Sequence, residues 1–259
     1  MEQSIFYSKT ENIATIYLNR PDKKNAVTLD MWKEIPKILA ELEYDREVTV
    51  VIIRGINDNA FSAGADITEF TVERGNENRA MNYDNHLTLA GDALEYFPKP
   101  LIAMVEGTCI GGGCEIALAC DLRFSSETGV FGITPAKIGL VYGVPQTKRL
   151  VQVVGASRAK DILFSSRFIQ ANEAYNIALI DRVYKSDEIV DETYKYARLL
   201  SGRSQTSIKG SKKIIQSILN ESDKDQEEID RIILNSYLSP DIKEGVAAFT
   251  ENRSPNFSL

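Results

Sequence analysis

Glu115 stands behind three consecutive glycines in the stretch Gly107-Thr108-Cys109-Ile110-Gly111-Gly112-Gly113-Cys114-Glu115, between the apolar runs Leu101 to Val105 and Ile116 to Cys120. That order predicts a strand, a glycine-rich turn and a helix. Glycine lets the main chain take positive φ and lets a ligand approach, because no Cβ intervenes. The first amides of the helix lack internal partners and carry the positive end of its dipole. Such amides suit a phosphate or a developing oxyanion. Walker-type phosphate loops end in Gly-Lys-Ser/Thr, whereas this one ends in Gly-Cys-Glu, whose carboxylate repels a phosphate, so the oxyanion is the better match. A second glycine turn, Phe61-Ser62-Ala63-Gly64-Ala65-Asp66-Ile67, follows the apolar run Val50 to Ile53 and can supply the other amide of a two-donor site.

The chain that must position these turns has 259 residues, 43% hydrophobic and 26% charged, enough for one large domain or for a domain with a helical appendage. A formal charge of -7 argues against general binding to nucleic acid or to an anionic membrane. Cys109, Cys114 and Cys120 are odd in number and lack the paired spacing of a zinc site, and His86 is the sole imidazole, so no metal is expected and the cysteines read as small reduced core residues. The start Met1-Glu2-Gln3-Ser4 is polar and no apolar run approaches the length of a membrane span, which leads to the expectation of a soluble cytoplasmic protein.

Along the chain, Ile5 to Ser8 and Ile13 to Leu18 read as a hairpin or meander, broken by Asn19-Arg20-Pro21. Thr28 is placed to cap a helix with Met31, Ile35, Ile38, Leu39 and Leu42 on one face and Pro36 inside it. The polar stretch from Thr68 to Asn82 reads either as a solvated loop or as a lid, and a helix is expected from about Tyr83 to Tyr96. Strand pieces follow at Asp121 to Ser125 and Val130 to Phe131. From Val144 onward helical patterns dominate, at Lys148 to Val154, Arg158 to Phe164, Ala171 to Ala178, Glu188 to Leu200, Ser207 to Leu219 and Glu227 to Leu238, with a short strand at Asp181 to Val183. The recurring strand, turn and helix units fit a crossover α/β core, although no internal sequence repeat is visible.

Taken together, the two glycine motifs, Asn19-Arg20-Pro21-Asp22-Lys23-Lys24-Asn25-Ala26, Phe131-Gly132-Ile133-Thr134-Pro135 and Asn252-Arg253-Ser254-Pro255-Asn256-Phe257 resemble the crotonase (enoyl-CoA hydratase/isomerase) superfamily over nearly the whole chain. The resemblance implies an α/β fold, a repeated ββα spiral core over residues 1–200 with a C-terminal helical segment over 201–259 for oligomer packing, and a homotrimer or a dimer of trimers, that is, a hexamer. It implies an acyl-CoA substrate carried as the coenzyme A thioester, with no other cofactor, and a role in fatty acid or amino-acid catabolism.

By the same resemblance the backbone amides of Ala65 and Gly112 polarise the thioester carbonyl and Glu115 is the acid/base. Lys23 lies near the CoA phosphates, and Ala63, Gly64, Asp66 and Ile67 flank the oxyanion donor and meet the CoA moiety. Hydratases carry a second glutamate after the Phe-Gly strand, and the matching position here is Ala136. Alanine moves no proton, which puts two-carboxylate hydration in doubt. The run Thr134 to Tyr142 resembles the methylmalonyl-CoA decarboxylase branch, where a threonine and a tyrosine serve binding and catalysis, but that branch has a histidine where this chain has Ala65. An enoyl-CoA hydratase/isomerase-like enzyme is therefore the leading expectation, with a malonyl-type acyl-CoA decarboxylase using Tyr142 and a catalytically poor acyl-CoA binding protein as alternatives.

Overall fold

A computed structural model describes residues 3–69, 75–221 and 225–257. Residues 70–74, within the stretch from Thr68 to Asn82 read as a solvated loop or a lid, lie outside the described residues.

The chain opens with an antiparallel pair, β1 (Ile5–Thr10) and β2 (Ile13–Leu18), and a 3-10 turn at Pro21–Lys23. Helix α1 (Leu29–Tyr44) starts where Thr28 accepts a hydrogen bond from the Met31 amide at 3.2 Å, and it buries Met31, Trp32, Ile35, Ile38, Leu39 and Leu42. Three strand pairs then follow: β3 (Val50–Gly55) with β4 (Ala60–Ser62), β5 (Leu101–Val105) with β6 (Thr108–Ile110), and β7 (Leu122–Ser126) with β8 (Val130–Gly132). Short β9 (Ile169–Gln170) and β10 (Arg182–Tyr184) complete the two sheets.

The large sheet runs β1-β2-β3-β5-β7-β10 and the small one β4-β6-β8-β9. Within each strand pair the first member joins the large sheet and the second the small one, and equivalent members of successive pairs lie parallel. The sequence shows no repeat, yet the backbone repeats as ββ units with helices after them, in agreement with the α/β spiral expected. Core strands are buried on both faces: Val50, Val51, Ile52 and Ile53 are all fully enclosed, which is why they read as an unbroken apolar run rather than an alternating one. One face packs on α1 and its neighbours, and the other on the helix Ile189–Ser201 through Ile189 and Ala197.

Helix α2 spans Glu77–Glu95, starting six residues before the expected Tyr83, because Asn76 caps it through the Arg79 amide at 3.0 Å. Its start is polar and leaves no apolar periodicity to read. Helix α3 (Gly112–Ala119) carries Glu115 and is separated from β5 by the short strand β6, so the expected direct passage from strand to turn to helix is corrected to strand, turn, strand, turn and helix. The remaining helices are α4 (Val144–Val154), α5 (Ala156–Ser165), α6 (Ala171–Asn176), α7 (Ile189–Ser201), α8 (Gln205–Leu219), α9 (Gln226–Leu238) and α10 (Pro240–Thr250). Among the described residues no helix is long and apolar enough to cross a membrane.

The loop between β2 and α1 is tied to the first glycine turn by several bonds. Buried Asn25 adopts φ 55°, accepts from the Arg20 amide at 2.9 Å and donates from Nδ2 to the Ala60 carbonyl at 2.6 Å. The Ala63 amide donates to the Lys24 carbonyl at 2.8 Å. Replacing Asn25 by alanine leaves a buried donor and a buried acceptor without partners and puts a Cβ-bearing residue lacking a polar side chain at left-handed φ. Urea unfolding is expected to show a loss of about 3 kcal/mol; a loss below about 1 kcal/mol would mean that the loop is held by other contacts.

Candidate active site

Two turns meet at the ends of β4 and β6. Val27 forms a parallel bridge with Ala65 in which the Val27 amide donates to the Gly64 carbonyl and the Asp66 amide donates to the Val27 carbonyl, at 2.8 and 2.9 Å. That pattern uses the residues on either side of Ala65 and points the Ala65 amide the other way. The Gly112 amide opens α3 and has no carbonyl one turn behind it to accept. Neither amide donates to any described acceptor, while the Gly111 amide donates to Gly132 and the Glu115 amide to Gly111.

The two bare amides are neighbours. A Cβ built on Gly112 would stand 3.4 Å from the Ala65 nitrogen, and one built on Gly64 would stand 3.6 Å from the Gly112 nitrogen. The glycines that permit this act differently. Gly111 takes φ 51°, ψ -112°, a backbone shape that side chains exclude, and so aims the start of the helix back at the first turn. A Cβ on Gly113 would lie 2.8 Å from the Ser62 carbonyl, so its lack of a side chain lets α3 rest directly on β4. Trp32 supports Gly112 from behind, its indole N–H donating to the Tyr83 hydroxyl at 3.1 Å.

Glu115, 3% exposed, projects from the first turn of α3 into a cavity of about 260 Å³ that the two amides also border. Ala63, Gly64, Ala65 and Ile67 form one wall; Thr134, Pro135 and Tyr142 form another. The Tyr142 hydroxyl is enclosed, and burial first, then the Glu115 carboxylate, pushes it well above the usual phenol range. It is therefore a neutral hydroxyl across the physiological range. Paired amides that await an acceptor, with a carboxylate and a phenol on the same cavity, can stabilise negative charge on a carbonyl oxygen while a proton moves nearby.

The structure thus brings together Glu115, Ala65, Gly112, Tyr142, Ala63, Gly64, Ile67 and Thr134, and leaves two expected residues outside the cavity lining. Lys23 ends the exposed 3-10 turn. Asp66 is turned away into an ion pair with Arg20 at 2.8 Å, and its Oδ1 also accepts from the Thr68 amide and hydroxyl. The side chain of Asp66 fastens the glycine turn to the Asn19-to-Ala26 loop rather than touching the cavity. Ala136 is exposed and outside the lining as well. Glu69 accepts from the Leu29 amide at the start of α1, and Lys137, next to Ala136, covers the Phe168 ring. His86 is also outside the cavity.

Asp84 and Thr88 on α2 and Gln146 on α4 line the cavity and escaped sequence reasoning. No local motif marks the first two, which arrive through packing of α2 on α1. For Gln146 a signal existed: Gly143 followed by Pro145 and Gln146 is a helix start, and its first turn faces the same way as Tyr142.

The enoyl-CoA hydratase/isomerase family model matches residues 8–258. A crotonyl-CoA hydratase of Syntrophomonas wolfei is 32% identical over 262 residues, covering 98% of both chains, and a short-chain-enoyl-CoA hydratase of Clostridium acetobutylicum is 34% identical over 212 residues, covering 82% of this chain and 80% of that one. Among solved structures, an enoyl-CoA hydratase from Bacillus anthracis superposes with a TM-score of 0.90 at 27% identity over 99% of both chains, and an enoyl-CoA hydratase/carnithine racemase from Magnetospirillum magneticum with 0.95 at 33%, over 99% of this chain and 96% of that one.

The Thr68 hydroxyl and amide, with the Arg20 guanidinium, hold the Asp66 carboxyl below the usual carboxylate range despite its burial. A depressed folded pKa stabilises the fold above the unfolded value, and the contribution vanishes as pH falls through the folded one. The stability gap between wild type and Asp66→Asn is expected to be full at pH 7, to persist near about pH 4 and to close only below it. Urea titrations at stepped pH check this; a gap unchanged between neutral and strongly acidic pH would mean that the charge of Asp66 contributes nothing.

Proposed function

The chain belongs to the enoyl-CoA hydratase/isomerase family, and on that premise we propose that it adds water to, or isomerises, an enoyl thioester of coenzyme A bound in the cavity beside Glu115. The observation that carries this reading is the pair of acceptor-free amides at Ala65 and Gly112 on the same cavity as a buried carboxylate. As water oxygen bonds to the β carbon, the π electrons move onto the thioester oxygen, where the two amides receive the charge. Glu115 takes the water proton, and a proton then adds at the α carbon, so the sum is one water across the double bond. The backbone around Ala63, Gly64 and Ile67 faces the CoA arm, and Lys23, at the exposed turn, serves the phosphates. The pathway class is fatty acid or amino-acid catabolism.

With alanine at position 136, Glu115 works without the second glutamate of the hydratase pattern. The described cavity lining carries Glu115 and Asp84 and no lysine, arginine or histidine, so the carboxylate of a malonyl-type substrate meets no counter-charge there. That favours hydratase or isomerase chemistry over decarboxylation through Tyr142. Assembly as a trimer or a dimer of trimers is supported by the apolar side chains exposed on the last helices, among them Leu234, Tyr237, Leu238, Val246 and Phe249.

Two measurements test this. In crotonyl-CoA hydration Glu115→Gln is expected to lose about a thousandfold in kcat; wild-type rates in Glu115→Gln would remove the carboxylate from the chemistry. Sedimentation equilibrium is expected to return a multiple of three chain masses, and a monomer at micromolar concentration would sink the oligomer reading.

A further inference from the structure

Gln146 is one of the polar residues of the cavity that the proposed chemistry does not use. Gln146 is 5% exposed, lines the cavity, and accepts no hydrogen bond at Oε1 from any described residue. As the third residue of α4 it occupies the place from which a glutamine ordinarily turns back to accept from the amide of the capping residue, here Gly143. It makes no such bond. Its Oε1 instead occupies the space into which a side chain at position 143 would project, and both residues border the cavity. Just before the helix cap, the Tyr142 hydroxyl is likewise enclosed without a hydrogen-bond partner among the described residues.

A buried acceptor left without a donor is costly, and a donor carried by the acyl chain relieves that cost. A plain alkyl chain offers Gln146 nothing. A hydroxyl offers a donor, and it brings no charge toward Glu115 and Asp84. We propose that Gln146 is the specificity-determining residue of the acyl pocket and selects thioesters whose acyl chain bears a hydroxyl beyond the reacting carbons. The inference rests on the reading of this cavity as an acyl-CoA site, but not on which reaction follows binding.

The test measures binding of saturated, unreactive thioesters by calorimetry: butyryl-CoA against 4-hydroxybutyryl-CoA, and pentanoyl-CoA against 5-hydroxypentanoyl-CoA. Wild type is expected to bind at least one hydroxylated member about tenfold or more tighter than its parent, and Gln146→Leu to bring that ratio close to one. Equal binding within both pairs by wild type overturns the inference whatever happens to crotonyl-CoA, and needs no variant to fold. A ratio that survives in Gln146→Leu overturns the assignment to Gln146. Failure to bind any of the four overturns both the inference and the acyl-CoA reading, whereas the expected ratios with crotonyl-CoA left unreacted sustain the inference and count against hydration alone.

Discussion

The site depends on two peptide N–H groups being kept without protein acceptors, side by side, at half-buried residues on the wall of a cavity. Main-chain amides in a fold ordinarily find protein partners, so the surrounding structure must hold these two away from any. That hold is visible in the backbone. The bridge from Val27 engages Gly64 and Asp66 and so turns the Ala65 amide out, and the reversed conformation of Gly111 starts α3 where its first amide has nothing behind it. Around this pair the bonding is dense: Arg20 to Asp66, Asn25 to Ala60, Lys24 to Ala63, Trp32 to Tyr83. Such pre-organisation is what lets amides stabilise charge without rearranging when it appears.

Much of this was legible in the residues because glycine writes backbone geometry directly into sequence. Gly64 and the Gly111-to-Gly113 run announce close main-chain approach, and Glu115 follows at a fixed offset on a short helix. What could not be read is what depends on packing between distant segments. The strands β4 and β6 are three residues long each and carry no period to detect. Asp84 reaches the cavity only because α2 lies along α1. In the same way Asp66, adjacent to the key amide in sequence, points away from it in space, since successive residues of an extended segment face opposite sides. The Asn19-to-Ala26 loop, with its basic residues Arg20, Lys23 and Lys24, also braces the fold, with Arg20 paired to Asp66 and Asn25 buried.

The electrostatics of the cavity follow from the same economy of groups. The described walls carry no lysine or arginine, so the donors they offer to negative charge are main-chain amides and hydroxyls, and the charged side chains there are Glu115 and Asp84. Tyr142 feels that field as a hydroxyl that does not ionise. A main-chain donor also has the property that ordinary side-chain substitution does not remove it, which leaves the side chains around it open to change.

The alternation of the three strand pairs gives that openness an address. Ala65 follows the second strand of the first pair, Gly112 the second strand of the next, and Thr134 the second strand of the last. The cavity is therefore built from the same landing on three successive steps of one staircase. The lower two landings contribute the two bare amides and Glu115, and the third contributes Thr134, with Tyr142 beyond it. In a staircase of this kind the main-chain donors and the side chains of the last landing occupy separate floors, so the upper one can be refurnished while the lower two stay as they are.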